Sequence, residues 1–199
     1  MKQILFRGAA TALVTPMQPD GSLDLETLSR LTEWQIQNSI SALVPCGTTG
    51  EAATLTDEER FTVIQTVAKT AAGRVPVIAG AGCNDTARAE QNCLAAAAAG
   101  ADALLLVTPY YNKCTPKGLQ SHFARLASAT PLPVILYNVP SRTGVTIDME
   151  SRRKLSKVDN IIGLKEASTD FSLIHQHLLE LGDTLPLYSG NDDLTLPLM

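Results

Sequence analysis

The chain has 199 residues, 45% hydrophobic and 18% charged, with a formal net charge of −4. These totals fit one globular domain with a substantial core, and they exclude the clustered basic face of a nucleic-acid binder. No stretch approaches the roughly 20 apolar residues that cross a bilayer, and Met1–Arg7, broken by Arg7 and lacking a cleavage pattern, is not expected to be a signal peptide.

Cys46, Cys83, Cys93 and Cys114 show no CxxC spacing and read as reduced thiols of a cytoplasmic protein. His175 and His177 fall on different sides of a helix and His122 stands alone, so no metal site is expected.

In chain order the pattern is strand, loop, helix, repeated. Ala9–Val14 reads as a first strand, stopped by Thr15-Pro16, with Asp20-Gly21 a turn. Leu25, Leu28, Leu31, Trp34 and Ile36 form a helical stripe that Asp24 can cap. Ala42–Cys46 is a second strand, running into Gly47-Thr48-Thr49-Gly50-Glu51. Thr56-Asp57-Glu58-Glu59 opens the next helix as a capping box. Val75–Gly80 is strand three, and an alanine-rich helix follows from Thr86 to Ala99, stopped by Gly100. Ala103–Val107 is strand four, leading into Thr108-Pro109-Tyr110-Tyr111 and a helix over Pro116–Ala127. Val134–Tyr137 is strand five, followed by a loop over Asn138–Gly144 and a helix opened by Asp148. Strand six, Ile161–Lys165, precedes a helix over Phe171–Leu181; Leu185–Ser189 is strand seven, and Gly190–Asp193 leads into Leu194–Met199.

Continuous apolar strands alternating with helices predict an α/β protein with a parallel sheet under helices. A doubly wound dinucleotide domain places GxGxxG after its first strand, where this chain has Thr15-Pro16-Met17. Polar and aromatic groups at nearly every strand end instead predict a (β/α)8 barrel as a single domain over 1–199, truncated after the seventh strand. A barrel of this kind runs to roughly 250 residues, so either a longer protein, a partner chain or a rearrangement is expected to supply the remainder.

Strand six ends on Lys165. Burying an ammonium is costly, so desolvation there favours the neutral amine, a nucleophile toward carbonyls. The alternative is a head group that snorkels into water. On the barrel, Thr48, Thr49, Tyr110, Tyr111, Tyr137 and Arg142 also stand at or beyond strand ends. An amine, a phenol, hydroxyls and a guanidinium suggest Schiff-base chemistry on a carboxylated carbonyl compound. The amides of Gly47–Gly50 fit a carboxylate nest and Arg142 a carboxylate clamp. Taken singly, each of these residues also fits packing or a solvated loop.

Gly47-Thr48-Thr49-Gly50-Glu51, Tyr137-Asn138-Val139-Pro140-Ser141-Arg142-Thr143-Gly144 and Gly163-Leu164-Lys165-Glu166-Ala167 together resemble the pyruvate-dependent class I aldolase family that includes N-acetylneuraminate lyase. The resemblance runs from about Gly8 to the last residue. It implies that Lys165 forms an imine with pyruvate, while Tyr137 relays protons, held by Thr48 and Tyr111. Tyr111 is implied to enter a neighbouring subunit's site. Thr48 and Thr49 would hold the pyruvate carboxylate, Arg142 the carboxylate of aspartate-4-semialdehyde, and Gly190 would line the pocket. The threonine pair and Arg142 resemble the synthase branch, which makes 4-hydroxy-tetrahydrodipicolinate for lysine and diaminopimelate synthesis. The alternatives are a lyase of the sialic-acid type or a chain that assembles, or binds a keto acid, without turnover. The resemblance implies a cytoplasmic homotetramer, a dimer of dimers, with no metal or dissociable cofactor. Asn84 and Tyr110 match an effector site for lysine. Arg60 and Arg88 depart from it, standing where lysine-inhibited members usually have histidine and glutamate, and predict weak feedback.

Overall fold

The computed structural model describes residues 4–199, so the first three residues of Met1–Arg7 lie outside the described part. The elements follow the expected alternation: β1 (Ala10–Ala12), α1 (Leu25–Gln37), β2 (Ala42–Val44), α2 (Asp57–Ala71), β3 (Ile78–Gly80), α3 (Thr86–Ala98), β4 (Ala103–Val107) and α4 (Pro116–Ser128). Then come β5 (Val134–Asn138), α5 (Pro140–Thr143), α6 (Met149–Leu155), β6 (Ile161–Glu166), α7 (Phe171–Leu181), β7 (Leu187–Ser189), a 3₁₀ turn (Asp192–Leu194) and α8 (Thr195–Leu198).

The chain forms two compact units. The N-terminal unit holds Leu5–Ala81 and Asn92–Leu105. In it β1 and β2 run parallel, Ala10 opposite Ala42, and Val77 bridges to Leu43 just ahead of β3. β3 pairs with the start of β4, Ile78 opposite Ala103. Sequence patterning over 75–80 predicts a longer β3. Pro76 has no N–H to give, and Val77 donates its own to Asp102 Oδ2, so regular pairing starts only at Ile78. The predicted capping box is present on α2: Thr56 Oγ1 accepts the Glu59 N–H, and Glu59 Oε2 accepts the Thr56 N–H. Val63, Ile64, Val67 and Ala71 make the buried stripe of that helix.

Gly80 marks a close approach of two backbone segments in this unit. A Cβ there would lie 2.0 Å from the Cys46 carbonyl oxygen, so the turn leaving β2 rests directly on β3.

The C-terminal unit holds residues 82–91 and 106–199, together with Ile4. β5, β6 and β7 pair in parallel and in order. Every residue of β5 is buried, as a strand covered on both faces requires. Helix α4 contributes Leu119, Phe123 and Leu126, each buried, and Pro at its first turn is tolerated because no N–H partner is needed there. One expectation is corrected. The segment 138–144, read from sequence as a loop, contains the four-residue helix α5, started by Pro140 and closed by Gly144 in the left-handed region at φ 68°.

Candidate active site

The register of the β5–β6 ladder brings the two central side chains together. Tyr137 is opposite Lys165, and Lys165 Nζ lies 4.5 Å from the centroid of the Tyr137 ring. Burial pushes the Lys165 amine below the ordinary lysine value, partly offset by the charge of Asp192. The ring face of Tyr137 attracts the charged ammonium and therefore works against burial; the net direction is toward the neutral amine. Burial likewise raises the Tyr137 phenol, while the Arg142 guanidinium pulls it back. Both shifts favour the uncharged forms, an amine and a phenol, and carbonyl addition uses such a pair: one group attacks and the other supplies a proton.

Gly190 belongs to the same cluster. A Cβ there would stand 3.1 Å from Lys165 Cε, 2.9 Å from Ala167 Cβ and 3.1 Å from the Glu166 carbonyl oxygen. The missing side chain leaves the space that the Lys165 stem occupies. On β6 itself, Gly163 admits the Tyr188 ring, which a Cβ would approach to 2.9 Å.

Arg142 is exposed on α5. That turn is anchored from the end of β4: Thr108 Oγ1 donates to Thr143 Oγ1 at 3.0 Å, both residues being buried. Tyr111 is 92% exposed and adopts φ 69°, an unusual conformation for an aromatic residue. Tyr110 is half-buried, and Asn84 accepts at its backbone oxygen from Asn112 Nδ2 at 3.3 Å. Arg88 is exposed. In the N-terminal unit, Thr48 and Thr49 are exposed on the turn after β2, where Thr48 O accepts the Glu51 N–H at 3.1 Å. Thr15 Oγ1 donates to Gly50 O at 2.7 Å and holds that turn down. Arg60 is committed to the Gly80 carbonyl at 3.1 Å.

Sequence reasoning missed a buried polar network one residue beyond the Tyr137–Lys165 pair. Asn138 Nδ2 donates to Glu166 Oε1 at 2.7 Å, and the same oxygen accepts the Ser168 N–H at 2.9 Å. Arg152 of α6 ion-pairs with Glu166 Oε2, both side chains being 0% exposed. Arg152 Nε also donates to Ile147 O at 2.7 Å, and Asn138 Oδ1 accepts the Ile147 N–H at 2.9 Å. The signal was available: an Asn and a Glu follow directly on the two singled-out strand-end residues. Among the described residues no group of three or more His, Cys, Asp or Glu side chains could hold a metal ion.

The alternating strands and helices are those of a (β/α) barrel enzyme, and its likeness to known proteins gives its class. The chain matches the model of the dihydrodipicolinate synthetase family over residues 5–199, and it belongs to that family. It is 50% identical over 195 residues to the 4-hydroxy-tetrahydrodipicolinate synthase of Exiguobacterium sibiricum, covering 98% of this chain and 67% of that one. Among solved structures it is similar to the chloride-inhibited dihydrodipicolinate synthase of Acinetobacter baumannii, in complex with pyruvate: 43% identity, TM-score 0.93, 96% of this chain and 66% of that one. It is also similar to a structure described as the first monomeric dihydrodipicolinate synthase variant, at 39% identity and TM-score 0.93 over 98% of this chain and 66% of that one. The chain thus spans about two thirds of the length of the relatives it matches.

Proposed function

We propose that this chain carries the pyruvate-binding chemistry of a 4-hydroxy-tetrahydrodipicolinate synthase, and that residues 1–199 are part of a single barrel domain. The observation that carries the reading is the desolvated Lys165 amine in register with Tyr137. Lys165 Nζ adds to the ketone carbon of pyruvate, and the ketone oxygen leaves as water to give an imine. Loss of a methyl proton gives the enamine, whose carbon attacks the aldehyde of aspartate-4-semialdehyde. The amino group of that substrate then closes on the imine carbon, forms the ring and expels the Lys165 amine. Tyr137, protonated and next to the amine, relays the protons. Arg142, exposed and cationic, is placed to meet the second substrate's carboxylate.

The same proposal gives Thr48 and Thr49 the pyruvate carboxylate and gives Tyr111 a place in a neighbouring subunit's site; its 92% exposure and unusual backbone support the latter. A homo-oligomer, in the complete protein a dimer of dimers, follows from that reading. So does a cytoplasmic location. Among the described residues no helix is long and apolar enough to cross a membrane.

The test is borohydride reduction in the presence of pyruvate. A pyruvyl adduct on Lys165, absent from Lys165→Ala, is expected in a full-length form. A folded sample without adduct overturns the reading. Turnover with aspartate-4-semialdehyde identifies the synthase, and release of pyruvate from N-acetylneuraminate would reassign the substrate.

A further inference from the structure

Asn138 and Glu166 are register partners, like Tyr137 and Lys165 one step before them. Side chains alternate along a strand, so the second pair lies on the opposite face from the first. The ladder below is irregular. Val134 pairs with Ile161 but Ile135 with Gly163, which leaves Ile162 as an extra residue in β6. Such a bulge uncouples the register above it from the register below. A slip by one residue would turn Lys165 to the other face and bring Glu166 or Leu164 opposite Tyr137.

The apolar pattern does little to prevent that slip. Ile161, Ile162 and Leu164 are all buried, so both faces of β6 accept apolar side chains. What distinguishes the two registers is polar. Only the observed one sets Asn138 Nδ2 at 2.7 Å from Glu166 Oε1 and brings the other carboxylate oxygen to Arg152. In a slipped register a carboxylate, an amide and a guanidinium would be buried without partners, a severe cost. Asn138 Oδ1 and Arg152 Nε then both engage Ile147, on the return of the segment that carries Arg142.

We propose that the Asn138–Glu166 hydrogen bond, backed by Arg152, is a register lock that holds the Lys165 amine against the Tyr137 ring. Asn138 and Glu166 are thus positioning residues for the amine chemistry. Their catalytic consequence rests on the function proposed above; the lock itself does not. The groups that face the amine are Tyr137 on β5, Tyr188 opposite it on β7, and the charge of Asp192 beyond β7.

The experiment reads the amine directly, without pyruvate. Lys165 in the full-length protein is labelled with formaldehyde and cyanoborohydride from neutral to alkaline pH, and its modification is followed by peptide mass spectrometry. Asn138→Ala is expected to raise the Lys165 midpoint by about one unit, a roughly tenfold loss of neutral amine near neutrality. A folded Asn138→Ala protein with an unchanged midpoint overturns the lock. Should that variant not fold, two charge-free pairs are compared. Arg152→Met with Glu166→Gln keeps an acceptor for Asn138 and is expected to hold the parent midpoint; Arg152→Met with Glu166→Leu removes it and is expected to shift. Equal midpoints in these two overturn the lock. A lowered midpoint in the parent without any pyruvate adduct sinks the proposed function and leaves the lock standing.

Discussion

Gly190→Ala tests the packing around the amine. The added methyl would sit 2.9 Å from Ala167 Cβ and 3.1 Å from both the Glu166 carbonyl oxygen and Lys165 Cε. The first two neighbours belong to the backbone-anchored end of β6 and its exit, and Gly190 N donates to that same Glu166 oxygen at 2.7 Å, so they give little. The Lys165 stem is the one flexible party. Overpacking at such a site costs about 1–3 kcal/mol, and each kcal/mol lowers the melting midpoint by roughly 2–4 °C in a chain of this size. The larger effect is on geometry. Displacing the amine by about 1 Å is expected to slow imine formation roughly 100-fold. Thermal melting gives the first number, and the rate of borohydride-trapped adduct at saturating pyruvate gives the second. A Gly190→Ala protein that traps at the parent rate would refute the claim that this glycine makes room for the lysine.

Further outcomes follow from other parts of the fold. His122 is buried, with Nδ1 2.8 Å from Thr86 Oγ1 and no partner on Nε2, and burial lowers its pKa from 6.5 to about 4. The unfolded chain takes up this proton first as pH falls. Its contribution is therefore fully present above pH 6.5 and is lost between there and about 4; a urea titration series should show that slope, and His122→Leu should flatten it. Glu166→Ala leaves the fully buried Arg152 unpaired and is expected to cost about 3–5 kcal/mol, read from urea midpoints. Thr56→Ala removes the hydroxyl that accepts the Glu59 N–H while keeping the backbone N–H that Glu59 accepts, and should cost about 1 kcal/mol in the same assay. Free lysine is expected to leave turnover of the full-length enzyme nearly unchanged because of Arg60 and Arg88; inhibition at sub-millimolar lysine would refute this.

The alternation of elements was legible because the strands are largely apolar runs and several helices carry a cap or a stop that can be seen in the residues: Asp24, Thr56, Asp148 and Gly100 all act locally. Lys165 and Tyr137 were legible for the same reason, as polar groups placed at the ends of such runs. Their register was not. It depends on a bulge at Ile162 and on Asn138 meeting Glu166 across a ladder, and pairings of residues far apart in the chain leave no local trace. Arg152 was hidden in another way. In a run of three basic residues, Arg152-Arg153-Lys154, nothing local says that the first turns inward to 0% exposure while the second pairs with Glu180 and the third with Glu150 on the surface.

The contact of Gly80 with the Cys46 carbonyl bears on how this protein can change over generations. The turn bearing Thr48 and Thr49 has its height set by main chain meeting main chain, so no exchange of side chains beneath it can raise or lower it in small steps. A change in the height of that turn must therefore come from an altered loop length, and a randomised library at position 80 should return glycine alone.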